Sequence, residues 1–325
     1  MGRPSIIFII ADDKTRALIP QLPRLSGGFA DRLKGLLFAL EWAEENQRPL
    51  RVYWERPLPI DEIFELTGKN ISKISFEELS ALIASQNSAI EIIDFLDKKT
   101  EEIQRLQSQI NFSVPALKIL VTNQFFAPTP DERKQRLRSA FQKNLNFKVR
   151  IAERAKQLCP LIDDASKAPL LGMQLRVGKH VGAQWTDPFL DSKLNWKLLR
   201  TVGRRVGKNC KSFVFMSDAG ELQFGSIHPG LDQFRPRWGQ TSHHFELSKG
   251  SASEQIVDTL AQFYILTCCE QIVHGKGEFG FLAAAVGHGS STDYYLALSS
   301  GYRKMHKWNH RFSRWHISIH KALSN

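Results

Sequence analysis

Glycines and charged residues that follow strand-like runs or open helical patterns are the parts of this 325-residue sequence best suited to chemistry. The first such group is the pair Gly27 and Gly28, followed by Phe29, Asp31 and Arg32 at the start of an amphipathic helical pattern. Glycines let a ligand approach exposed backbone N–H groups, and a helix N-terminus attracts anions. The segment therefore predicts a loop that binds phosphate.

A second group lies in the other half of the chain, where Arg176 ends an apolar run that begins at residue 170 and is followed two residues later by Gly178. Ligands of open α/β sheets bind at the carboxyl ends of strands, and a guanidinium there suits a phosphate. The alternative is an arginine held in an ion pair at the strand end.

Two further groups also follow strand-like runs. Ser217 and Asp218 come after the run 213–216, and the carboxylate suits a ribose hydroxyl or a base N–H, with a helix N-cap as the alternative. A turn after the run 271–274 precedes an alanine-rich helical pattern and predicts an anion nest, made by Lys276, Gly277, Phe279 and Gly280.

The elements that must position these residues alternate between strand and helix patterns, which predicts an α/β fold with parallel sheets. In the first half we expect strands at 5–10, 50–54 and 116–122, a mostly helical insertion at 60–109 and a basic helical stretch at 131–158. A proline-containing segment, 159–169, is the predicted linker. In the second half we expect strands at 170–177, 212–216, 244–247 and 271–274, and helices at 192–206 and 254–268.

Length and composition allow two domains, which we place at residues 1–165 and 166–325. The apolar content of 42% suffices for two cores, and no apolar run reaches the ~20 residues of a membrane span. The four cysteines lack metal-ligand spacing and are expected to be reduced thiols, which favours a cytoplasmic location. The net charge of +11 predicts an anionic partner without choosing one.

Taken together, these motifs resemble the fucosyltransferase superfamily, which includes the protein O-fucosyltransferases and α1,6-fucosyltransferases. A glycine turn opens a helix in the first half of that family and lines the donor phosphates; it is similar to Gly27-Gly28-Phe29-Ala30-Asp31-Arg32. The family motif His-x-Arg-x-Gly, whose arginine contacts the donor's β-phosphate, is similar to Gln174-Leu175-Arg176-Val177-Gly178. Later strand-end motifs of the family are similar to Ser217-Asp218 and Gly277-Glu278-Phe279-Gly280.

Four positions depart from the family pattern. Gln174 stands where the family has histidine, Gly277 and Gly280 replace hydroxyl residues, and Asp31 stands where asparagine is common. Lys276 and backbone N–H groups are the candidate substitutes for the missing hydroxyls. These departures keep open a different donor sugar, or a catalytically silent relative that binds a nucleotide sugar or a glycan.

The resemblance implies a GT-B-like fold, with two Rossmann-like domains facing across a cleft, and an inverting transfer of fucose from GDP-fucose to a hydroxyl of a glycan or protein. Arg176 would neutralise the leaving diphosphate together with the Gly27 and Gly28 amides. The general base is left open among three carboxylates, Asp31, Glu55 and Asp187. No Asp-x-Asp motif is present, so we expect no metal and no cofactor beyond the donor.

A rival from another class is a basic nucleic-acid-binding protein. The segment 302–315 interleaves cations with aromatic residues, which can contact phosphates and stack on bases. The same composition also anchors a C-terminal segment on its own domain, and the sequence has no compact nucleic-acid motif. We therefore expect a nucleotide-sugar donor rather than nucleic acid as the anionic partner.

Overall fold

The computed structural model describes residues 5–23, 28–85, 90–113, 116–164, 169–175, 212–217, 253–275 and 278–293, with 199, 201–203, 205–206 and 209–210. These residues divide into two compact units. Unit 1 holds the described residues up to Ala152 and those from 253 to 260. Unit 2 holds the described residues from Glu153 to 217 and those from Ala261 to 293. The domain boundary between residues 165 and 166 stays a prediction.

Unit 1 is built on a parallel five-stranded sheet in the order β4-β2-β1-β6-β5. The central strand β1 (Ile6–Ile9) is fully buried, as expected for a continuous apolar run between two parallel neighbours. The others are β2 (Leu50–Tyr53), β4 (Ile71–Lys73), β5 (Ile90–Asp94) and β6 (Leu117–Val121). A separate antiparallel pair joins β3 (Phe64–Leu66) to β7 (Leu145–Phe147).

The main helix of unit 1 is α2 (Phe29–Glu45), which connects β1 to β2. Its apolar stripe includes Leu33, Leu36 and Leu37, each with no exposed surface, and each such side chain contributes roughly 1.5–3 kcal/mol on burial. The remaining helices before unit 2 are α1 (Asp13–Leu18), α3 (Ile60–Ile63), α4 (Phe76–Ser85), α5 (Thr100–Gln109), α6 (Pro130–Asn144) and α7 (Val149–Leu158).

Helix α6 contains the first part of the basic stretch 131–158, which the sequence predicts to be helical. Its Arg136 binds Glu41 of α2 through two hydrogen bonds, Nε to Oε1 at 2.7 Å and Nη2 to Oε2 at 2.6 Å. Hydrogen bonding to Glu41 raises the pKa of Arg136 against the opposing effect of burial. Part of the basic run therefore fastens α6 to α2.

The prediction of a mostly helical insertion at 60–109 is wrong, because β3, β4 and β5 lie within it and two of these strands belong to the main sheet. The helical spacing of apolar residues there was misleading, since isoleucines of β5 instead pair with β6. Buried Lys118 forms an ion pair across those strands with Glu91. The predicted helical stretch 131–158 is likewise interrupted by β7.

Unit 2 contains a parallel four-stranded sheet in the order β11-β10-β8-β9. Its strands are β8 (Leu170–Leu175), β9 (Ser212–Ser217), β10 (Gln271–His274) and β11 (Ser290–Asp293), and its helices are α8 (Leu161–Asp164), the second half of α9 (Ser253–Thr267) and α10 (Glu278–Val286). The strands predicted at 212–216 and 271–274 are confirmed, as is the described part, 170–175, of the strand predicted at 170–177. The strand predicted at 244–247 and most of the helix predicted at 192–206 lie outside the described residues.

All four cysteines carry free thiols, as predicted. Cys159 and Cys269 are buried, whereas Cys210 and Cys268 are half-buried, and burial raises the pKa of each thiol. Among the helices that the structure describes, none has the length and hydrophobicity needed to cross a membrane.

The closest approach of helix to sheet in unit 1 occurs at Gly35 of α2. A Cβ atom built on Gly35 would lie 2.0 Å from the backbone oxygen of Thr122 and 2.9 Å from its carbonyl carbon. Thr122 directly follows β6 and has no exposed surface. Only a residue without a side chain allows α2 to lie this close to the end of β6.

We expect Gly35→Ala to lower the free energy of unfolding by roughly 3 kcal/mol or more, since backbone must move to admit the methyl group. In an exposed helix the same substitution would instead stabilise by about 1 kcal/mol through helix propensity. Urea unfolding of both proteins measures the difference.

Gly68→Ala is the matched control. Its Cβ would meet the side-chain oxygen of Asn144 at 2.1 Å, and this amide can rotate away, so we expect a loss below about 1.5 kcal/mol. Equal losses in the two variants would contradict a backbone constraint at Gly35.

Candidate functional site

The turn at the start of α2 is described from Gly28 onwards, and Gly27 lies outside the described residues. Gly28 is the N-cap in an extended conformation (φ −71°, ψ −175°) and supplies no side-chain cap to the helix. Phe29 is 2% exposed, and its ring packs near Trp54 and Phe64 with centroid distances of 6.3 and 6.2 Å. The Phe29 ring therefore anchors the turn in the core of unit 1.

The charged residues of this turn are engaged within unit 1. Asp31 accepts a hydrogen bond from Lys34 Nζ at 3.2 Å, in a pair whose lysine side chain is 5% exposed and whose aspartate side chain is 35% exposed. Arg32 is buried and donates from Nη1 to the backbone oxygen of Arg56 at 2.7 Å. The sequence pattern placed Arg32 and Lys34 off the apolar stripe, whereas the fold buries both side chains.

A polar cluster that the sequence analysis missed follows β1 and involves the last residue of β2. The Tyr53 hydroxyl donates to Asp12 Oδ2 at 3.0 Å, and the Thr15 backbone N–H donates to Asp12 Oδ1 at 2.8 Å. Burial, and after it the negative charge of Asp12, raises the pKa of Tyr53 well above its usual range. The available signal was an aspartate three residues before a threonine, the spacing of a helix capping box.

Glu55, one of the three candidate bases, lies in an ion-pair network. Lys73 Nζ is 3.2 Å from Glu55 Oε1 and 2.9 Å from Asp61 Oδ1. Burial acts to lower the pKa of Lys73, but hydrogen bonds to Asp61 and Glu55 outweigh it and raise the pKa overall. Glu55, which follows β2, is thus held by a cation at the end of the neighbouring strand β4.

In unit 2 the structure brings two of the predicted site residues into direct contact. The backbone N–H of Gly280, in the first turn of α10, donates to Gln174 Oε1 at 3.1 Å. Phe279 lies beside it, and its ring meets buried Phe263 of α9 edge to face at 5.1 Å. The start of α10 is therefore attached both to the end of β8 and to α9.

His274 is a second residue that the sequence analysis did not select. It is the last residue of β10, is 5% exposed and pairs in register with Gln174. Its Nδ1 is 3.0 Å from the backbone oxygen of Gly275. Because a carbonyl only accepts hydrogen bonds, Nδ1 is the donor in this contact. The signal was a histidine at a strand end before a glycine.

Three strands of unit 2 end at a common edge of the sheet. Leu175 of β8 pairs with Ser217 of β9, and Gln174 pairs with His274 of β10. Three predicted site residues follow these strand ends in the sequence, namely Arg176, Asp218 and Lys276. They lie outside the described residues together with Gly178, Gly277, Asp187 and the segment 302–315.

Among the residues that the structure describes, no group of three or more histidine, cysteine or acidic side chains is positioned to hold a metal ion.

Comparison with solved structures gives two similar folds. The chain superposes on Arabidopsis thaliana FUT1, a mutant in complex with GDP, with a TM-score of 0.55 and 13% identity over 90% of this chain and 70% of that one. It superposes on the fucosyltransferase NodZ from Bradyrhizobium with a TM-score of 0.51 and 13% identity over 88% of this chain and 94% of that one. The chain has the fold of these proteins. It is an α/β fold with parallel sheets, as predicted.

Sequence comparison adds no relative, since no family model and no curated protein matches the chain. At 13% identity the likeness to NodZ and FUT1 concerns the fold, and function has to be argued from the site.

We expect Tyr53→Phe to flatten the loss of stability at alkaline pH. Unfolded tyrosine ionises near pH ~10, whereas native Tyr53 stays protonated, so the native state binds more protons and the free energy of unfolding falls as pH rises above about 10. The variant lacks this contribution. At pH 7 it loses only a hydrogen bond, about 1 kcal/mol.

Chemical unfolding between pH 8 and 11 measures the slope of the free energy of unfolding against pH for wild type and for Tyr53→Phe. Asp12→Asn is the companion variant. It keeps the tyrosine but removes the negative charge, so its slope should lie between those of wild type and Tyr53→Phe. Identical slopes for wild type and Tyr53→Phe would show that Tyr53 ionises normally in the folded protein.

Proposed function

We propose that this protein is a glycosyltransferase that transfers fucose from GDP-fucose to a hydroxyl group of a glycan or a protein, with inversion at the anomeric carbon. The proposal is supported chiefly by the common edge of the unit 2 sheet, on a fold shared with NodZ. At this edge Gln174 is the next-to-last residue of β8, and Ser217 and His274 end the neighbouring strands β9 and β10. A nucleotide bound at the carboxyl edge of a parallel sheet is the usual arrangement in α/β proteins.

In this mechanism the acceptor hydroxyl oxygen attacks the anomeric carbon, and the bond from that carbon to the diphosphate oxygen breaks. GDP leaves with the bonding electron pair, and the hydroxyl proton passes to a base. Arg176 is proposed to neutralise the charge that grows on the diphosphate, together with backbone N–H groups at the Gly27-Gly28 turn. Ser217, Asp218 and Lys276 are proposed to hold the rest of the donor, and no metal or cofactor is required.

Asp31 is the base we favour among the three carboxylates. It lies in the first turn of α2, three residues after the Gly28 cap, and its side chain is 35% exposed and so open to an acceptor. Glu55 is paired with a lysine as Asp31 is, and its side chain is 28% exposed. Because Glu55 lies after β2 and not in the glycine turn, it is the weaker candidate.

A catalytically silent donor-binding protein is the second candidate. It is favoured by the hydrogen bond from Gly280 to Gln174, because that bond occupies a backbone N–H that the anion nest would otherwise offer to phosphate. Such a protein would bind GDP-fucose and neither transfer nor hydrolyse it.

A panel of nucleotide sugars tests the proposed donor. We expect GDP-fucose and GDP to raise the melting temperature of the full chain, because a ligand at 100 times its Kd stabilises by ~2.7 kcal/mol. UDP- and dTDP-sugars at equal concentration should give smaller shifts, and EDTA should not change the ranking. A clear preference for a uridine or thymidine sugar would overturn the donor assignment, and a shift by labelled oligonucleotide instead would favour the nucleic-acid rival.

Substitutions of the two side chains proposed for catalysis should have different effects on transfer and on GDP binding. Arg176→Ala should lower transfer about 10²–10³-fold and also weaken GDP binding, since it removes a phosphate contact. Asp31→Asn should lower kcat by about 10²–10⁴-fold and leave the thermal shift with GDP unchanged. Transfer of labelled fucose and the GDP shift are measured on each purified variant.

Arg150→Ala is the matched control, because Arg150 is an exposed arginine on α7 paired with Glu62. It should leave both readouts unchanged. Normal turnover by Arg176→Ala would remove the core of the proposal, and donor binding without any turnover in the wild type would favour the silent relative.

A further inference from the structure

The hydrogen bond between Gly280 and Gln174 joins two positions that are 106 residues apart in sequence. Gly280 is the third residue of α10, so its N–H belongs to the first turn, where helix N–H groups lack partners within the helix. The Gln174 side chain at the end of β8 supplies the missing acceptor. A side chain from another element therefore takes the role that an N-cap residue usually has.

The geometry leaves no room for a side chain at position 280. A Cβ atom built on Gly280 would lie 2.6 Å from Gln174 Oε1 and 2.6 Å from the Cβ atom of His274. A Cβ atom does not come this close to an unbonded carbon or oxygen atom in folded proteins, so a residue with a Cβ would displace the Gln174 amide. The hydrogen bond exists because residue 280 is glycine.

The same bond sets the orientation of the Gln174 amide. A backbone N–H only donates, so the atom facing it must be Oε1, and the Nε2 group lies on the other side of the amide. None of the described residues accepts a hydrogen bond from Nε2, and Gln174 is half-buried at the strand end that precedes Arg176. Two N–H donors are thus held at the edge where the donor is proposed to bind.

We infer that Gln174 and Gly280 act as one unit, in which the Gly280 N–H positions the Gln174 amide so that its Nε2 donates to an oxygen of the nucleotide-sugar diphosphate. The identity of this ligand rests on the proposed function. Gln174 is the binding residue and Gly280 is the positioning residue. Since an amide does not titrate, this contact keeps its donor character across the pH range in which a histidine would change charge.

The inference also connects two departures from the fucosyltransferase pattern. Gln174 stands in place of a histidine and Gly280 in place of a hydroxyl residue. A serine at 280 would displace the Gln174 amide, and a glycine at 280 without Gln174 would leave the N–H without this acceptor. The two replacements therefore depend on each other physically.

A double-mutant cycle tests the coupling, with Gln174→Ala, Gly280→Ala and the double variant measured for GDP affinity and for melting temperature. Each single substitution should weaken GDP binding roughly three- to tenfold, the value of one lost hydrogen bond. The double variant should be no weaker than the worse single one, because the second change finds the amide already displaced. The clash with His274 occurs in both Gly280→Ala proteins and cancels in the cycle.

Additive losses in GDP affinity would overturn the inference, since independent residues contribute independently. Gly68→Ala in unit 1 is the control for a glycine-to-alanine change and should leave GDP affinity unchanged. If no nucleotide stabilises the wild type, the proposed function fails and the ligand assignment with it. The cycle in melting temperature then still decides whether Gln174 and Gly280 are coupled, and additivity there rejects the coupling itself.

A pH series separates the donor role of Gln174 from a purely structural one. In Gln174→His the introduced imidazole gains a proton below pH ~6.5, so the ratio of variant to wild-type Kd for GDP should fall as pH decreases from 8 to 5.5. His274 and Glu278, the titratable residues of the adjoining elements, are present in both proteins and cancel in the ratio. A ratio that is constant with pH would show that residue 174 does not contact the diphosphate.

Discussion

Close packing of a helix on a parallel sheet, at a glycine that leaves no room for a Cβ atom, is the constraint on which both units depend. In unit 1, Gly35 brings α2 against the backbone after β6. In unit 2, a Cβ on Gly172 of β8 would lie 2.8 Å from Leu266 and 3.0 Å from Cys269. Each glycine sets how closely a helix packs on a sheet. Because the proposed binding groups follow strands of these sheets, the spacing of the site depends on residues that carry no chemistry of their own.

The distribution of charge is the second organising feature. A net charge of +11 indicates an anionic partner, yet several cationic side chains form ion pairs within the fold. Arg136 holds α6 to α2, Lys73 holds Glu55 and Asp61, and buried Lys118 holds Glu91. The charge available to a diphosphate is therefore smaller than the composition suggests. For this reason the position of Arg176, directly after β8 in the sequence, supports the proposed function more strongly than the net charge of the chain does.

Much of unit 2 was predictable because its strands are short, continuous apolar runs followed by glycine, serine or histidine. The run from Gln271 to His274 was predicted with its observed ends. Unit 1 was harder, since β5 has isoleucines whose spacing also fits a helix, and only pairing with β6 decides between the two. Short strands such as β7 form by pairing with a strand distant in sequence, so no local pattern predicts them.

The sequence by itself determined the α/β class and the strands β8, β9 and β10, in which Gln174, Ser217 and His274 lie. These follow from local periodicity and from which residues permit a turn. Tertiary structure alone decided that Phe29 faces the core, that Asp12 receives the Tyr53 hydroxyl and that Gln174 meets Gly280. The reason is that a hydrogen bond or a steric limit between distant residues depends on how strands align, and neither residue carries that information alone.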